Sequence, residues 1–117
     1  MGTLSLGVDI VEVPRVARLI RQKRFLDRVF SPGEIAYCLS KKNAAQHFAV
    51  RFAAKEAVYK ALGKTGVAHK DISVKNDRLG KPSVELQGSL RKWEARLSLS
   101  LTHTAQYAVA VALFQKR

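Results

Sequence analysis

The chain is short of acid: nine Asp and Glu stand against 21 Lys and Arg, and its 117 residues include only one cysteine, one tryptophan and three prolines. A single cysteine, Cys38, excludes an internal disulfide, which fits a reducing compartment and a thiol that serves as a small buried hydrophobe. No apolar run approaches the roughly 18 residues needed to span a bilayer. Residues 1–7 have neither a basic n-region nor an apolar h-region, and Leu6 removes a myristoylation signal. A soluble, cytoplasmic protein is therefore expected. No Cys/His cluster suggests zinc. Gly63-Lys64-Thr65 resembles the end of a phosphate-binding P-loop, but Val58 stands where its first glycine would be. A Gly-x-Ser-x-Gly elbow is also absent.

The shortage of acid leaves a net charge of +12. Such a field attracts polyanions: nucleic acid, anionic lipid, a polyphosphate ligand or an acidic protein. Charge alone favours nucleic acid, yet no basic strand surface interleaved with aromatics and no nucleic-acid motif is visible. Hydrophobic residues make up 47% of the chain, which argues for a globular fold, and the length suits a single domain over residues 1–117. A domain this small buries only about two-thirds of the surface of its unfolded chain, so it gains from oligomerisation.

Residues 4–10 alternate with period two and read as a strand, with Leu4, Leu6, Val8 and Ile10 expected to face the core and Ser5, Gly7 and Asp9 to face away. Pro14 suits the first turn of a helix whose apolar stripe is Val16, Leu19 and Ile20 and whose other side carries Arg15, Arg18 and Arg21. Ser31-Pro32-Gly33-Glu34 has the form of a capping box opening a second helix toward Cys38 and Leu39. The longest helix is expected over residues 43–62, stopped by Gly63 and Gly66. Asp71 to Val74 and Ser83 to Leu86 read as strands around a turn at Asn76 to Pro82, and Ser89 suits the cap of a short helix carrying Trp93. Two alternating runs, Leu97-Leu99-Leu101 and Tyr107-Val109-Val111-Leu113, flank Thr102 to Gln106 and suggest an antiparallel hairpin. The order β-α-α-α-β-β-α-β-β is α+β in character.

Two carboxylates break this patterning. Ala45, Ala49, Phe52, Tyr59 and Gly63 recur at spacings of four and three, as one inward helix face, and Glu56 falls among them. A buried carboxylate without a partner costs several kcal/mol, so it calls for a basic side chain, a metal ion or water in a cleft. The plainest partner is Lys60, one turn later. Asp9 sits at the end of an apolar strand, where a carboxylate serves either as a local hydrogen-bonding group or as a ligand. Together the two offer hard oxygen donors of the kind that hold Mg²⁺ beside phosphate, with Arg51, Lys55 and Lys60 as cationic neighbours. His47 and His69 lie in polar stretches and are expected in solvent. His103, between Thr102 and Thr104, is placed either to meet an anion or to bond the local backbone.

Three motifs run in order along essentially the whole chain. They are Gly7-Val8-Asp9-Ile10 with Arg15 five residues after Ile10; Arg51-Phe52-Ala53-Ala54-Lys55-Glu56-Ala57 followed by Lys60-Ala61-Leu62-Gly63; and Ser100-Leu101-Thr102-His103-Thr104 before an Ala/Val-rich strand. In order and spacing they resemble the bacterial holo-acyl-carrier-protein synthases, the small members of the 4′-phosphopantetheinyl transferase superfamily. Lys64 departs from the commoner Gly-Thr-Gly wording. The resemblance implies an α+β fold in which an antiparallel sheet packs on a long central helix, assembled as a homotrimer with active sites at the subunit interfaces. It implies Mg-dependent transfer of phosphopantetheine from coenzyme A to a serine of acyl carrier protein, releasing 3′,5′-ADP, in fatty acid biosynthesis. Asp9 and Glu56 become the Mg²⁺ ligands, and Lys60 joins them as a catalytic residue. Arg51, Lys60, His103 and Thr104 become contacts of coenzyme A, Arg51 in its own protomer's site or a neighbour's. Arg15, Arg18 and Arg21 become a docking face for the acidic carrier. The proton acceptor is open between a metal-bound water, Glu56 and Asp9; a carboxylate on Mg²⁺ is the weaker base, which favours water.

Overall fold

The computed structural model describes residues 2–116. Strand β1 (Leu4–Glu12) leads through helix α1 (Val13–Leu19) and α2 (Lys23–Val29) into α3 (Pro32–Leu39) and the long α4 (Ala44–Leu62). A 3-10 turn at His69–Asp71 precedes the hairpin β2 (Ile72–Asn76) and β3 (Pro82–Leu86). A 3-10 segment, Gly88–Arg96, then feeds the hairpin β4 (Leu97–His103) and β5 (Tyr107–Gln115). β5 is the centre of an antiparallel three-stranded sheet of order β1-β5-β4, and β2-β3 form a separate pair. The expected α+β architecture, with its sheet against a long helix, is the one observed. Trp93 lies in a 3-10 segment rather than an α-helix, and α2 was not read from the sequence at all. Its apolar residues Phe25, Leu26 and Val29 are spread through a highly charged stretch, so the helical period is thinly marked.

The expected facing of β1 is reversed. Leu4, Leu6, Val8 and Ile10 are between 58% and 69% exposed, whereas Gly7 and Val11 are buried against α4. Period-two alternation separates the two faces of a strand without saying which one is covered. Here side-chain size decides. A Cβ built on Gly7 would lie 1.9 Å from the Ala57 carbonyl oxygen. The register pairs Gly7 with Ala112, Asp9 with Ala110 and Val11 with Ala108, so a row of small residues lies under α4. Ala53, Ala54, Ala57 and Ala61 answer from the helix, all fully buried. Leucines would not fit this seam, and they occupy the opposite face together with Tyr107 and Val111.

α4 is covered on most sides, by the sheet, α1, α3 and β2. Of the residues expected to form its inward stripe, Ala49 is fully buried, but the stretch around Glu56 is a more open edge: Phe52 and Glu56 are half-buried and Tyr59 is exposed. The buried residues include Arg51 and Lys55, two charges expected as cationic neighbours of phosphate. Lys55 Nζ donates to Glu34 Oε1 at 2.7 Å, to the His69 carbonyl at 3.1 Å and to the Ile72 carbonyl. It is thus spent inside the fold rather than on phosphate. Glu34 in turn accepts from the backbone N–H groups of Ser31 and Val74, both at 2.9 Å, so the expected capping box at Ser31 also anchors the buried pair. Gly63, at φ 65°, ends α4 in the left-handed conformation that glycine adopts without strain.

Candidate active site

Asp9 lies on the face of β1 that meets α4, with its side chain 17% exposed. Lys60, in the last turn of α4, reaches it: Nζ is 3.1 Å from Asp9 Oδ1 and 2.9 Å from the Val8 carbonyl. Lys60 therefore pairs with Asp9 across the strand–helix crossing and not with Glu56 along its own helix. The small-residue seam at Gly7 brings this about, because it lets α4 approach β1 closely at Ala57 and Ala61.

Glu56, 30% exposed, finds a different partner. Its Oε1 is 2.8 Å from His69 Nε2. An ionised carboxylate only accepts, so Nε2 carries the proton. The His69 ring stacks on Phe52, 5.6 Å between centroids at an interplanar angle of 15°. Sequence reading left His69 in solvent; the side chain is half-buried, and no local pattern links a residue after the glycine stop to the helix 13 positions earlier. A cavity of about 220 Å³ opens here, lined by Glu56, Tyr59, Val67, Ala68, His69 and Ile72 among others.

A second group lies toward the N-terminal half of α4. Arg51 is almost fully buried, with its guanidinium 4.3 Å from the Tyr37 ring centroid. It donates to Asn76 Oδ1 at 2.5 Å and to the His47 carbonyl at 3.4 Å, and its buried Nε has no acceptor among the described residues. His103, the last residue of β4, lies 5.8 Å from the His47 ring, and Arg51, His47, His103, Tyr37 and Asn76 line one cavity of about 200 Å³. His47 is thus part of a cationic cluster rather than a solvated residue. Burial, followed by the charges of Arg51, His103 and Lys41, pushes its pKa below the ordinary histidine value. Thr104 is engaged in the β4–β5 turn, its Oγ1 accepting from the N–H groups of Gln106 and Tyr107 at 3.1 and 3.0 Å.

Two contact pairs lie along α4, Asp9 with Lys60 and Glu56 with His69, and a separate group holds Arg51, His47 and His103. Arg15 and Arg18 are exposed on α1 and Arg21 just beyond its end, forming a third, basic surface. The Val13 N–H donates to the Gln106 carbonyl at 2.8 Å, which fastens the start of α1 to the turn beside His103.

Residues 5–112 match the family model of the 4′-phosphopantetheinyl transferase superfamily. The chain belongs to that superfamily. Among its relatives is a holo-[acyl-carrier-protein] synthase of Geobacter sp. (strain M21), 45% identical over 120 residues that cover 94% of this chain and 96% of the relative. The synthase of Treponema denticola is 46% identical, covering 96% and 98%. Among solved structures, a holo-(acyl-carrier-protein) synthase from Bacillus anthracis in complex with CoA (3′,5′-ADP) aligns over 100% of both chains, with a TM-score of 0.84 at 28% identity. Within this fold, the Asp9–Lys60 pair joins β1 to α4, the Glu56–His69 pair joins α4 to the turn before β2, and His103 ends β4. No helix among the described residues is long and apolar enough to cross a membrane.

Proposed function

We propose that this chain transfers the 4′-phosphopantetheine group of coenzyme A to a serine of apo-acyl carrier protein, Mg-dependently, releasing 3′,5′-ADP for fatty acid biosynthesis in the cytoplasm, as one domain spanning residues 1–117. The transferase class follows from the family. The observation that carries the site assignment is the partly buried Asp9 carboxylate held against the Lys60 ammonium, with the partly buried Glu56 carboxylate one helical turn before Lys60 on α4.

These residues fit a divalent cation. Both carboxylates offer hard oxygens, and the Lys60 ammonium already places positive charge against Asp9 Oδ1 and the Val8 carbonyl. Among the described residues no group of three or more His, Cys, Asp or Glu side chains could hold a metal by itself. That matches Mg²⁺, which takes one or two carboxylates and leaves its other positions to substrate phosphate and water. Bound there, it would offset charge on the pyrophosphate.

The serine oxygen bonds to the β-phosphorus of coenzyme A, the bridge to the α-phosphate breaks, its electron pair leaves with 3′,5′-ADP, and the hydroxyl proton passes to a base. Lys60 has a third N–H beyond the two it spends on Val8 and Asp9, free for a phosphate oxygen. Arg51 spends two of its five N–H donors on Asn76 and the His47 carbonyl and stands beside His103 as a second anion-binding group, with Thr104 shaping the turn that carries it. Arg15, Arg18 and Arg21 would draw in the acidic carrier. We further infer a homotrimer. The apolar outer face of the sheet needs cover, and copies packed on it can bring the Arg51–His103 group of one protomer to the Asp9–Glu56 group of the next.

The test mixes the chain with coenzyme A, Mg²⁺ and an apo carrier, then weighs the carrier. A phosphopantetheine adduct is expected, lost in Glu56→Gln while carrier binding persists. Unchanged transfer by Glu56→Gln overturns the metal assignment.

A further inference from the structure

His69 is held from three directions, and what it holds is Glu56. Its carbonyl accepts from Lys55 Nζ at 3.1 Å, and Lys55 is fixed by Glu34 at 2.7 Å inside the core. Its turn is closed by Asp71, whose Oδ2 accepts the Ala68 N–H at 3.0 Å. Its ring lies against Phe52, nearly parallel. Each restraint acts on a different part of the residue: the backbone, the turn and the ring plane. The Nε2–H that donates to Glu56 Oε1 at 2.8 Å is therefore aimed before any ligand arrives.

We propose that His69 is a positioning residue for the divalent cation: it pins Glu56 through Oε1 and leaves the other carboxylate oxygen for the metal. This rests on the reading of Asp9 and Glu56 as metal ligands. A glutamate has three rotatable side-chain bonds, and ordering a long side chain on binding carries an entropic cost. A donor already in place removes that cost from the binding step. Groups that orient a ligating carboxylate in this way typically change metal affinity 10–100-fold when lost. The chain Glu34–Lys55–His69–Glu56 also explains why a buried lysine directly precedes the ligand in sequence. Lys55 points into the core and grips the His69 backbone, while its neighbour Glu56 points outward and takes the His69 ring.

The experiment measures Mn²⁺ binding to the chain–coenzyme A complex by electron paramagnetic resonance. Coenzyme A binding without metal and the melting temperature are followed alongside. His69→Phe keeps an aromatic ring over Phe52 and deletes the donor; His69→Gln keeps a donor at an equivalent reach. About a tenfold or greater loss of Mn²⁺ affinity is expected in His69→Phe. Coenzyme A affinity without metal should be unchanged, and most of the metal affinity should return in His69→Gln. Native Mn²⁺ affinity in His69→Phe, with affinity lost in Asp9→Asn, overturns the role of His69 alone. Native affinity in Asp9→Asn as well overturns the metal reading, and this inference with it.

Discussion

Gly7→Ala should damage both stability and transfer, although alanine is the better strand residue. In an open strand the change would stabilise by about 0.5–1 kcal/mol, because glycine loses more backbone freedom on folding. Here the added methyl would stand 1.9 Å from the Ala57 carbonyl oxygen and 2.8 Å from the Ala61 nitrogen, both backbone atoms that no rotamer can move away. Overpacking of this kind costs roughly 1–3 kcal/mol or more, and with rigid neighbours the upper end applies. The net is a loss of about 2 kcal/mol, or roughly 8 °C in melting temperature for a chain of this size. Relief requires β1 to retreat from α4 by more than an ångström, which opens the Asp9–Lys60 contact at the same crossing. Displacement on that scale in a reacting geometry costs on the order of 100-fold in rate. Thermal unfolding and carrier mass spectrometry at a fixed protomer concentration read both effects. A Gly7→Ala chain that melts within 2 °C of the original (about 0.5 kcal/mol) and transfers at the same rate would refute the close-seam argument.

Lys55→Met should cost roughly 3–5 kcal/mol in urea unfolding, because Glu34 is left buried and uncompensated, and adding Glu34→Gln should recover part of the loss. Cys38 is fully buried, and burial raises its thiol to about 11, so it should resist thiol reagents at neutral pH until the chain unfolds. His47 has a lowered pKa, so below about pH 6.5 the unfolded chain binds the proton first. Folding stability should therefore fall as pH drops through that value toward the lowered one, and His47→Gln should flatten the slope in denaturant titrations. Ile10→Asp places a charge on the outer sheet face; sedimentation should show a folded monomer and the carrier assay no transfer, whereas an intact active oligomer would refute the interface.

Much of the fold was legible because its signals are local. The Ser31 capping box, the Gly63 stop and the alternation of β4 and β5 each lie within a few residues, and each appears where expected. The order of motifs carried the family. What escaped was set by packing between distant segments. The inward face of β1 follows from the alanines of α4 and β5, about 50 and 100 positions away in sequence, and no alternation within β1 encodes it. Lys55 and Lys60 stand on one helix in one motif, yet one is buried under Glu34 and the other reaches Asp9, a difference fixed by which side of α4 meets β2 and which meets β1. His69 was missed for the same reason, since its partner is brought to it by a turn beyond the helix stop.

The reversed sheet connects these facts. A sheet that turned its leucines inward would hold α4 farther off, and Lys60 would then fall short of the Val8 carbonyl and Asp9. By assigning glycine and alanine to the inner face, the sequence brings the Lys60 ammonium of α4 to the Asp9 carboxylate of the strand, and the large aliphatic residues are left on the outer face. That outer face is too apolar to remain in water as one contiguous patch. The close approach that assembles the Asp9–Lys60 contact and the apolar outer face on which the proposed homotrimer would pack are therefore two consequences of one alternation. In the proposed homotrimer, a site divided between neighbouring protomers would use both consequences.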